Sequence, residues 1–288
     1  MAGGYLVKLY LIGSRGRLGQ AIAHQYADCG IVSLDRATYK DWTKPGVADL
    51  VSQYFEKSAD QGATVFVASG LLDPGLPQAD LFSVNYHLPK NVIDGASKLG
   101  NKVITFGTVM ERLVELKNPY IQTKAALGKY VYSLAEAGKS VVHLQIHTLY
   151  GVGQPSPFMF LGQMLDSIRN DTPFKMTSGR QLREYHHLAD DAKAIRLIEE
   201  TATSGVVNVS HGKPLSLKTI AENVFNALGK DVLLHVGALP EPPEENYNRI
   251  FQPSEIMQQV PFRDSLTAVV QYMKECYFST AASGVGKV

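Results

Sequence analysis

Cysteine is nearly absent: Cys29 and Cys276 are the only two, and neither has a His or Cys neighbour at metal-ligand spacing. That excludes a disulfide framework and a zinc-finger module, and the two side chains read as reduced thiols. A charge excess of either sign is missing too, with 28 basic against 27 acidic residues, a net +1, and no basic block. Nucleic acid is therefore not an expected partner. No apolar run approaches the about 18 residues that a spanning helix needs. The run Tyr5–Ile12 is interrupted by Lys8 and followed by a glycine-rich loop where a signal peptide would carry its cleavage site, so it reads as a strand. Repeats and low-complexity tracts are also lacking. The expectation is a cytoplasmic chain without a membrane partner.

What is present is ordinary globular material in 288 residues, 45% hydrophobic and 19% charged, enough for one large α/β domain or two unequal lobes. Short β-rich runs alternate with helical periodicity. Strands are expected at Tyr5–Ile12, Ile31–Asp35, Thr64–Val67, Val103–Phe106 and Val141–Ile146. Helices are expected at Leu18–Ala27, Val47–Lys57, Leu81–Leu99 with a kink at Pro89, and Tyr120–Glu136. Thr64–Val67 does not alternate, which fits a strand buried on both faces. Such units in succession predict an α/β fold with a doubly wound parallel sheet of the Rossmann type. Past Gly151 the texture changes, with Gly153, Pro155 and Pro157 in a loop, a helix at Met159–Ile168, a proline-rich surface connection at Leu239–Pro243, and a frayed end at Ser279–Val288. The expected division is a Rossmann domain over 1–150 plus about 184–207, and a smaller mixed lobe over 151–183 and 208–288 that holds substrate.

Gly13-Ser14-Arg15-Gly16-Arg17-Leu18-Gly19 follows the first strand and opens the first helix. Glycine permits the tight turn and close backbone approach, and the helix N-terminus presents free N–H groups to a pyrophosphate. Asp35 ends the second strand about 20 residues into the motif, where a carboxylate accepts from a ribose 2′-OH. Arg36 follows it and Arg15 sits inside the loop. Two guanidinium forks suit a 2′-phosphate, which points to NADP(H) as the preferred cofactor. An Asp35-directed NAD(H) site is the alternative. Trp42, beside Asp41, reads as a core residue.

Tyr120-Ile121-Gln122-Thr123-Lys124 is Y-x-x-x-K, and an i, i+4 spacing places both side chains on one helix face. A phenol with a pKa near 10 is a poor acid–base catalyst at neutral pH, and an adjacent ammonium together with a nicotinamide cation would lower it.

The G-x-x-G-x-x-G spacing and the placement of Y-x-x-x-K between strands resemble the extended short-chain dehydrogenase/reductases, specifically the NAD-dependent epimerase/dehydratase family that acts on nucleotide sugars. The resemblance implies that Thr108, just past the strand Val103–Phe106, polarises a carbonyl with Tyr120, with Thr105 the weaker candidate. It also implies cofactor contacts by Gly13, Arg15, Gly16, Arg17, Leu18, Gly19, Asp35, Arg36, Ala68, Ser69, Asn85 and His147. The arginines near the expected 2′-phosphate resemble those of GDP-fucose synthase. Leu149-Tyr150-Gly151-Val152-Gly153 resembles the family's Y-G-x-G turn. Arg183 to Asp191 resembles its R-D-[FY]-x-H-V-x-D-[VL] segment, implying that Arg183 binds the substrate pyrophosphate and that Asp190 and Asp191 serve a helix start. Thr148 is the other implied substrate contact. No metal is expected: His186 and His187 have no third ligand nearby in the sequence. Val207-Asn208-Val209 resembles the strand before a late helix, here Leu217–Leu228, and a homodimer is implied by the family alone.

Departures narrow the reaction. Family dehydratases place Asp-Glu directly after the threonine, but Val109-Met110 stands there and Glu111 comes one position late, so water elimination lacks its machinery. Epimerisation at C3 and C5 lacks its Cys and His pair. The interval from Thr108 to Tyr120 is short, and together with Thr177 to Arg183 it resembles the CDP-abequose synthase type of 4-ketoreductase. Gln145 and Thr148 replace a family arginine and asparagine. The leading expectation is NADPH-dependent reduction of the C4 keto group of a nucleotide-linked 4-keto-6-deoxy sugar for surface polysaccharides such as lipopolysaccharide. A redox-neutral 4-epimerase with the same residues is the rival, and a catalytically silent NADP-binding regulator the alternative of another class.

Overall fold

The computed structural model describes residues 7–58, 61–113, 118–243 and 245–279. Six strands form one parallel sheet in the order Gly205–Asn208, Val141–Ile146, Lys102–Thr108, Thr64–Val67, Leu9–Ile12, Val32–Leu34. The order reverses direction between Leu9–Ile12 and Thr64–Val67, so their C-terminal ends form the switch point at which ligands of doubly wound sheets bind. The sheet is parallel, six-stranded and flanked by helices on both faces, as the alternating pattern predicts.

Both faces are dry, which is why the central strands do not alternate in polarity. Tyr10, Ile12, Val65, Val67 and Val103 pack on Val51 and Phe55 of the helix Ala48–Lys57 and on Leu127 and Val131 of the helix Pro119–Glu136. Trp42 is 3% exposed in the same core, with Tyr54 edge-on. On the opposite face Phe66 meets Tyr26 at the end of the helix Arg17–Gln25. The third strand anchors there to the helix Leu188–Thr201, through the Thr64 hydroxyl on Glu199 at 3.0 Å.

Two boundaries and one further helix differ from expectation for identifiable reasons. The strand ending near the site runs Lys102–Thr108 rather than Val103–Phe106, because Val141–Ile146 pairs with it up to Thr108. The long helix begins at Gln78, and its irregularity is a π-helical turn at Ser83–His87 ahead of Pro89. Proline cannot donate to the carbonyl one turn back, and a local widening is one way a helix absorbs that loss. The helix Ser265–Ser279 was not foreseen, although its buried Val269, Tyr272, Met273 and Cys276 recur at helical spacing.

The chain divides into two compact units, Met1–Ile146 with Ala192–Val209, and His147–Asp191 with Ser210–Val288. The second unit has its own core, in which Leu161, Met164, Leu165 and Ile168 meet Ile220, Val224, Phe225, Val269 and Met273. Its strands form two-stranded ladders, including Thr148–Tyr150 parallel to Tyr185–His187 and Leu182–Arg183 antiparallel to Leu215–Ser216. Leu239–Pro243 is irregular, with Leu239 exposed. Among the described residues no helix is long and apolar enough to cross a membrane. Of the segments read from sequence, Tyr5 and Leu6, residues 114–117 of the short connection before Tyr120, and 280–288 lie outside the described residues.

Candidate active site

The glycine loop sits at the switch point of the sheet. Gly13 takes φ +91°, and a β-carbon there would lie 2.5 Å from the Ser69 nitrogen, so the loop is pressed against the end of the third strand. A β-carbon on Gly19 would lie 2.1 Å from the Gly13 carbonyl, which makes that glycine the seat on which the helix Arg17–Gln25 docks. Gly16 is different: its β-carbon would meet only the Gly13 carbonyl at 3.4 Å. The protein's own packing does not require a glycine there, whereas a ligand backbone contact would. The helix starts at Gly16 with no side-chain cap and no acid in its first turn, an end whose dipole suits an anion.

Asp35 ends the second strand and faces Arg15 across 3.4 Å, with both side chains well exposed. Arg36 begins the short helix behind it and is exposed. Carboxylate and guanidinium thus share one corner of the loop.

Ala68 extends the ladder, donating its N–H to Ile12, and leads through Ser69 to Gly70. A β-carbon on Gly70 would lie 3.4 Å from Asn85 Oδ1 and 3.5 Å from Lys124 Nζ, so the loop runs over both side chains. Asn85, turned inward by the π-helical turn, clamps the loop by accepting from Leu71 N–H at 2.8 Å and donating to the Leu71 carbonyl at 2.9 Å. It also donates to Thr123, whose hydroxyl donates to the Tyr120 carbonyl. Asn85 therefore ties the segment Ala68 to Leu71 to the helix carrying Tyr120 and Lys124.

That helix starts at Pro119, capped by Asn118 Oδ1, which accepts from Tyr120 N–H at 2.9 Å. Lys124 is buried and donates to the Phe106 carbonyl at 2.8 Å. Burial lowers its pKa to about 8 against the opposing charge of Glu111. Burial, reinforced by Glu111, pushes the half-buried Tyr120 phenol upward, so without a cofactor the tyrosine is a protonated donor. The lowering anticipated from an adjacent ammonium does not arise from the chain's own charges, because burial and the Glu111 carboxylate both favour the protonated phenol. Thr108 ends its strand half-buried, its Oγ accepting from Met110 N–H at 3.3 Å. Thr105 lies fully inside, 2.8 Å from His143 Nδ1, in a structural position.

Glu111, set aside in the sequence as one position late for water elimination, is the residue behind this constellation. Glu111 turns inward: Oε1 accepts from Thr108 N–H at 2.6 Å, and Oε2 accepts from Gln145 at 3.1 Å and lies 3.2 Å from His143 Nε2. Its side chain is 3% exposed, and β-carbons on Gly107 or Gly128 would collide with it. The capping spacing Thr108 to Glu111 was its available signal.

In the second unit Arg183 donates to Glu245 at 2.6 Å and to the Leu182 carbonyl. Thr148 is half-buried in the ladder beside Tyr185. The His147 imidazole packs on His186 and Phe251, with Nε2 3.9 Å from Glu184. Asp190 is held bidentately by Arg263, while Asp191 lies 2.7 Å from His186 Nδ1. The two adjacent histidines separate: His187 Nδ1 accepts from Ala189 N–H, and His186 turns into a buried cluster with Glu184 and His211.

A family model described as NAD dependent epimerase/dehydratase family matches residues 9–210. No curated protein matches the chain. Among solved structures the chain is similar to a UDP-N-acetylglucosamine 4-epimerase from Methanobrevibacter ruminantium M1 in complex with UDP-N-acetylmuramic acid, with TM-score 0.73 at 18% identity, covering 96% of this chain and 99% of that one. It is also similar to the UDP-glucose 4-epimerase of Thermotoga maritima with UDP-glucose, with TM-score 0.77 at 15% identity over 96% and 100% of the two chains. A GDP-D-glycero-L-gluco-heptose synthase from Campylobacter jejuni in the presence of NADPH gives 0.71 at 17% identity over 95% and 98%. At such identities the likeness carries the fold.

Proposed function

The chain belongs to the NAD-dependent epimerase/dehydratase family, and from that membership we propose that it transfers hydride between a nicotinamide cofactor and C4 of a nucleotide-linked sugar, in the direction of 4-keto reduction. The observation that carries the direction is the exposed Arg15 beside Asp35, with Arg36 next in the chain, which supplies two guanidinium forks for a 2′-phosphate. An NADP(H) site that exchanges its cofactor suits net reduction.

The chain's residues take the following roles. Gly13, Gly16 and Gly19 with the start of the helix Arg17–Gln25 hold the pyrophosphate. Arg17, Leu18, Ala68, Ser69 and Asn85 line or support the same loop. Lys124, anchored on the Phe106 carbonyl, orients the nicotinamide ribose. Thr108 would hydrogen-bond the C4 oxygen, and Tyr120, protonated in the free chain, would donate its phenolic proton to that oxygen, a bound nicotinamide supplying the hydride. Glu111 turns away into the His143 and Gln145 network, which supports the view that it does not eliminate water. Arg183 and Thr148 are the proposed substrate contacts, Arg183 having to exchange Glu245 for a phosphate.

A redox-neutral 4-epimerase is the second reading, favoured by Asp35 at the 2′-OH position of the second strand and by the two 4-epimerases similar in fold. Incubation with NADPH or NADH and a panel of nucleotide-linked 4-keto-6-deoxy sugars separates the two. Stoichiometric NADPH loss with a product two hydrogens heavier is expected. A mass-neutral stereochemical change of ordinary nucleotide sugars without cofactor consumption overturns the reductase in favour of the epimerase. Absence of both reactions with intact cofactor binding leaves a silent regulator.

A further inference from the structure

We propose that Glu184, His186 and His211 form a site for one divalent transition-metal ion of the zinc class inside the second unit. Zinc at bonds of about 2.1 Å holds tetrahedral ligand atoms about 3.4 Å apart. Glu184 Oε2 lies 3.1 Å from His186 Nε2, 3.5 Å from His211 Nδ1 and 3.9 Å from His147 Nε2. The donor atoms of Glu184, His186 and His211 all lie within 4.8 Å of one another. Three imidazole nitrogens thus converge on one carboxylate oxygen from three separate chain segments, a convergence that no local spacing in the sequence displays.

The groups behind the donors fix which nitrogen faces inward. His186 Nδ1 lies 2.7 Å from Asp191 Oδ1, and a carboxylate accepts, so Nδ1 carries a proton and Nε2 is the nitrogen aimed at Glu184. Ser265 donates its hydroxyl proton to the Tyr185 carbonyl at 2.8 Å, so its oxygen accepts from His211 Nε2 at 3.0 Å. That leaves the His211 Nδ1 lone pair on the cluster side, where Lys213 N–H now donates at 3.1 Å. An imidazole backed by a carboxylate is the usual support of a metal-bound histidine.

The remaining contacts say what the ion replaces. Glu184 Oε1 accepts from Ser210 and from Gly212 N–H, and Oε2 also accepts from His211 N–H at 2.8 Å. His186 spans Glu184 and Asp191 through its two ring nitrogens, and an ion would stand in the Nε2 to Glu184 contact. One carboxylate with imidazoles suits zinc, cobalt or nickel, whereas magnesium and calcium demand oxygen ligands. The three protein donors join the segments at 184–186 and 211 and leave a fourth tetrahedral position to water.

The test uses the full chain without a histidine tag, stripped by chelator and titrated with Co2+, Zn2+ or Mg2+. One Co2+ per chain with the strong visible bands of tetrahedral cobalt is expected, along with a higher thermal midpoint in Zn2+ and no response to Mg2+. His211→Gln, confirmed as folded by circular dichroism, is expected to abolish the bands, and Asp191→Asn to weaken affinity by about 10–100-fold. No saturable binding, the pale spectrum of octahedral cobalt, or unchanged binding in folded His211→Gln overturns the site. Where a variant fails to fold, the wild-type cobalt spectrum decides alone.

Discussion

Tyr120 illustrates how burial and chemistry work together at the scale of one residue. A desolvated phenol keeps its proton, which a ketone reductase must deliver. Tyr120→Phe is expected to lower turnover by about 10²–10⁴-fold while cofactor binding persists, measured by steady-state kinetics and fluorescence titration. Turnover unchanged by that substitution removes Tyr120 from the mechanism. Lys124 is expected to set the alkaline limit. Its ammonium is present below about 8 and lost above, so kcat/KM for the cofactor falls as pH rises through that value. Glu111 opposes the shift, since its charge favours the protonated lysine. Glu111→Gln removes that charge and moves the alkaline fall to lower pH. The same variant leaves donors around Thr108 and Gln145 imperfectly matched, with an expected loss of about 1–3 kcal/mol in urea unfolding. A pH profile that stays in place shows Glu111 to be structural only.

Elements explain why the three loop glycines are not equivalent. Gly19→Ala drives a β-carbon into the Gly13 carbonyl at 2.1 Å, backbone that cannot yield, so the helix Arg17–Gln25 lifts from its strand. A destabilisation of about 1–3 kcal/mol or more is expected, and cofactor binding falls with it. Gly16→Ala meets ordinary contact at 3.4 Å and is expected to unfold at the wild-type urea concentration while binding cofactor more weakly. Equal cofactor affinity in Gly16→Ala denies that loop its proposed ligand. The π-helical turn at Ser83–His87 makes the same point about helices. It turns Asn85 inward to clamp Leu71, so an irregularity beside Pro89 becomes the joint between the segment Ala68 to Leu71 and the helix of Tyr120.

At the scale of the whole molecule, a ligand that binds only the folded chain stabilises it by mass action, by about 2.7 kcal/mol at a hundred times its dissociation constant. NADPH at matched concentration is therefore expected to raise the thermal midpoint more than NADH, and the reverse order points to Asp35 as the selector and to the epimerase. The parallel sheet, its helices and the order of their connections were legible in the sequence. Unbroken apolar runs such as Thr64–Val67 betray strands covered on both faces, and the glycine loop and Y-x-x-x-K are local patterns whose spacing survives folding. Boundaries such as Thr108 and Gln78 were not, since a neighbouring strand or a proline sets them. Nor were the partners of buried charges. Glu111 meets His143 and Gln145, and Glu184 meets His186 and His211, only because distant segments are brought together. Local sequence determined the fold and the candidate chemistry, because periodicity and turn geometry are short-range. Tertiary structure alone decided which charged groups share a dry interior, because desolvation and charge pairing depend on distance in space.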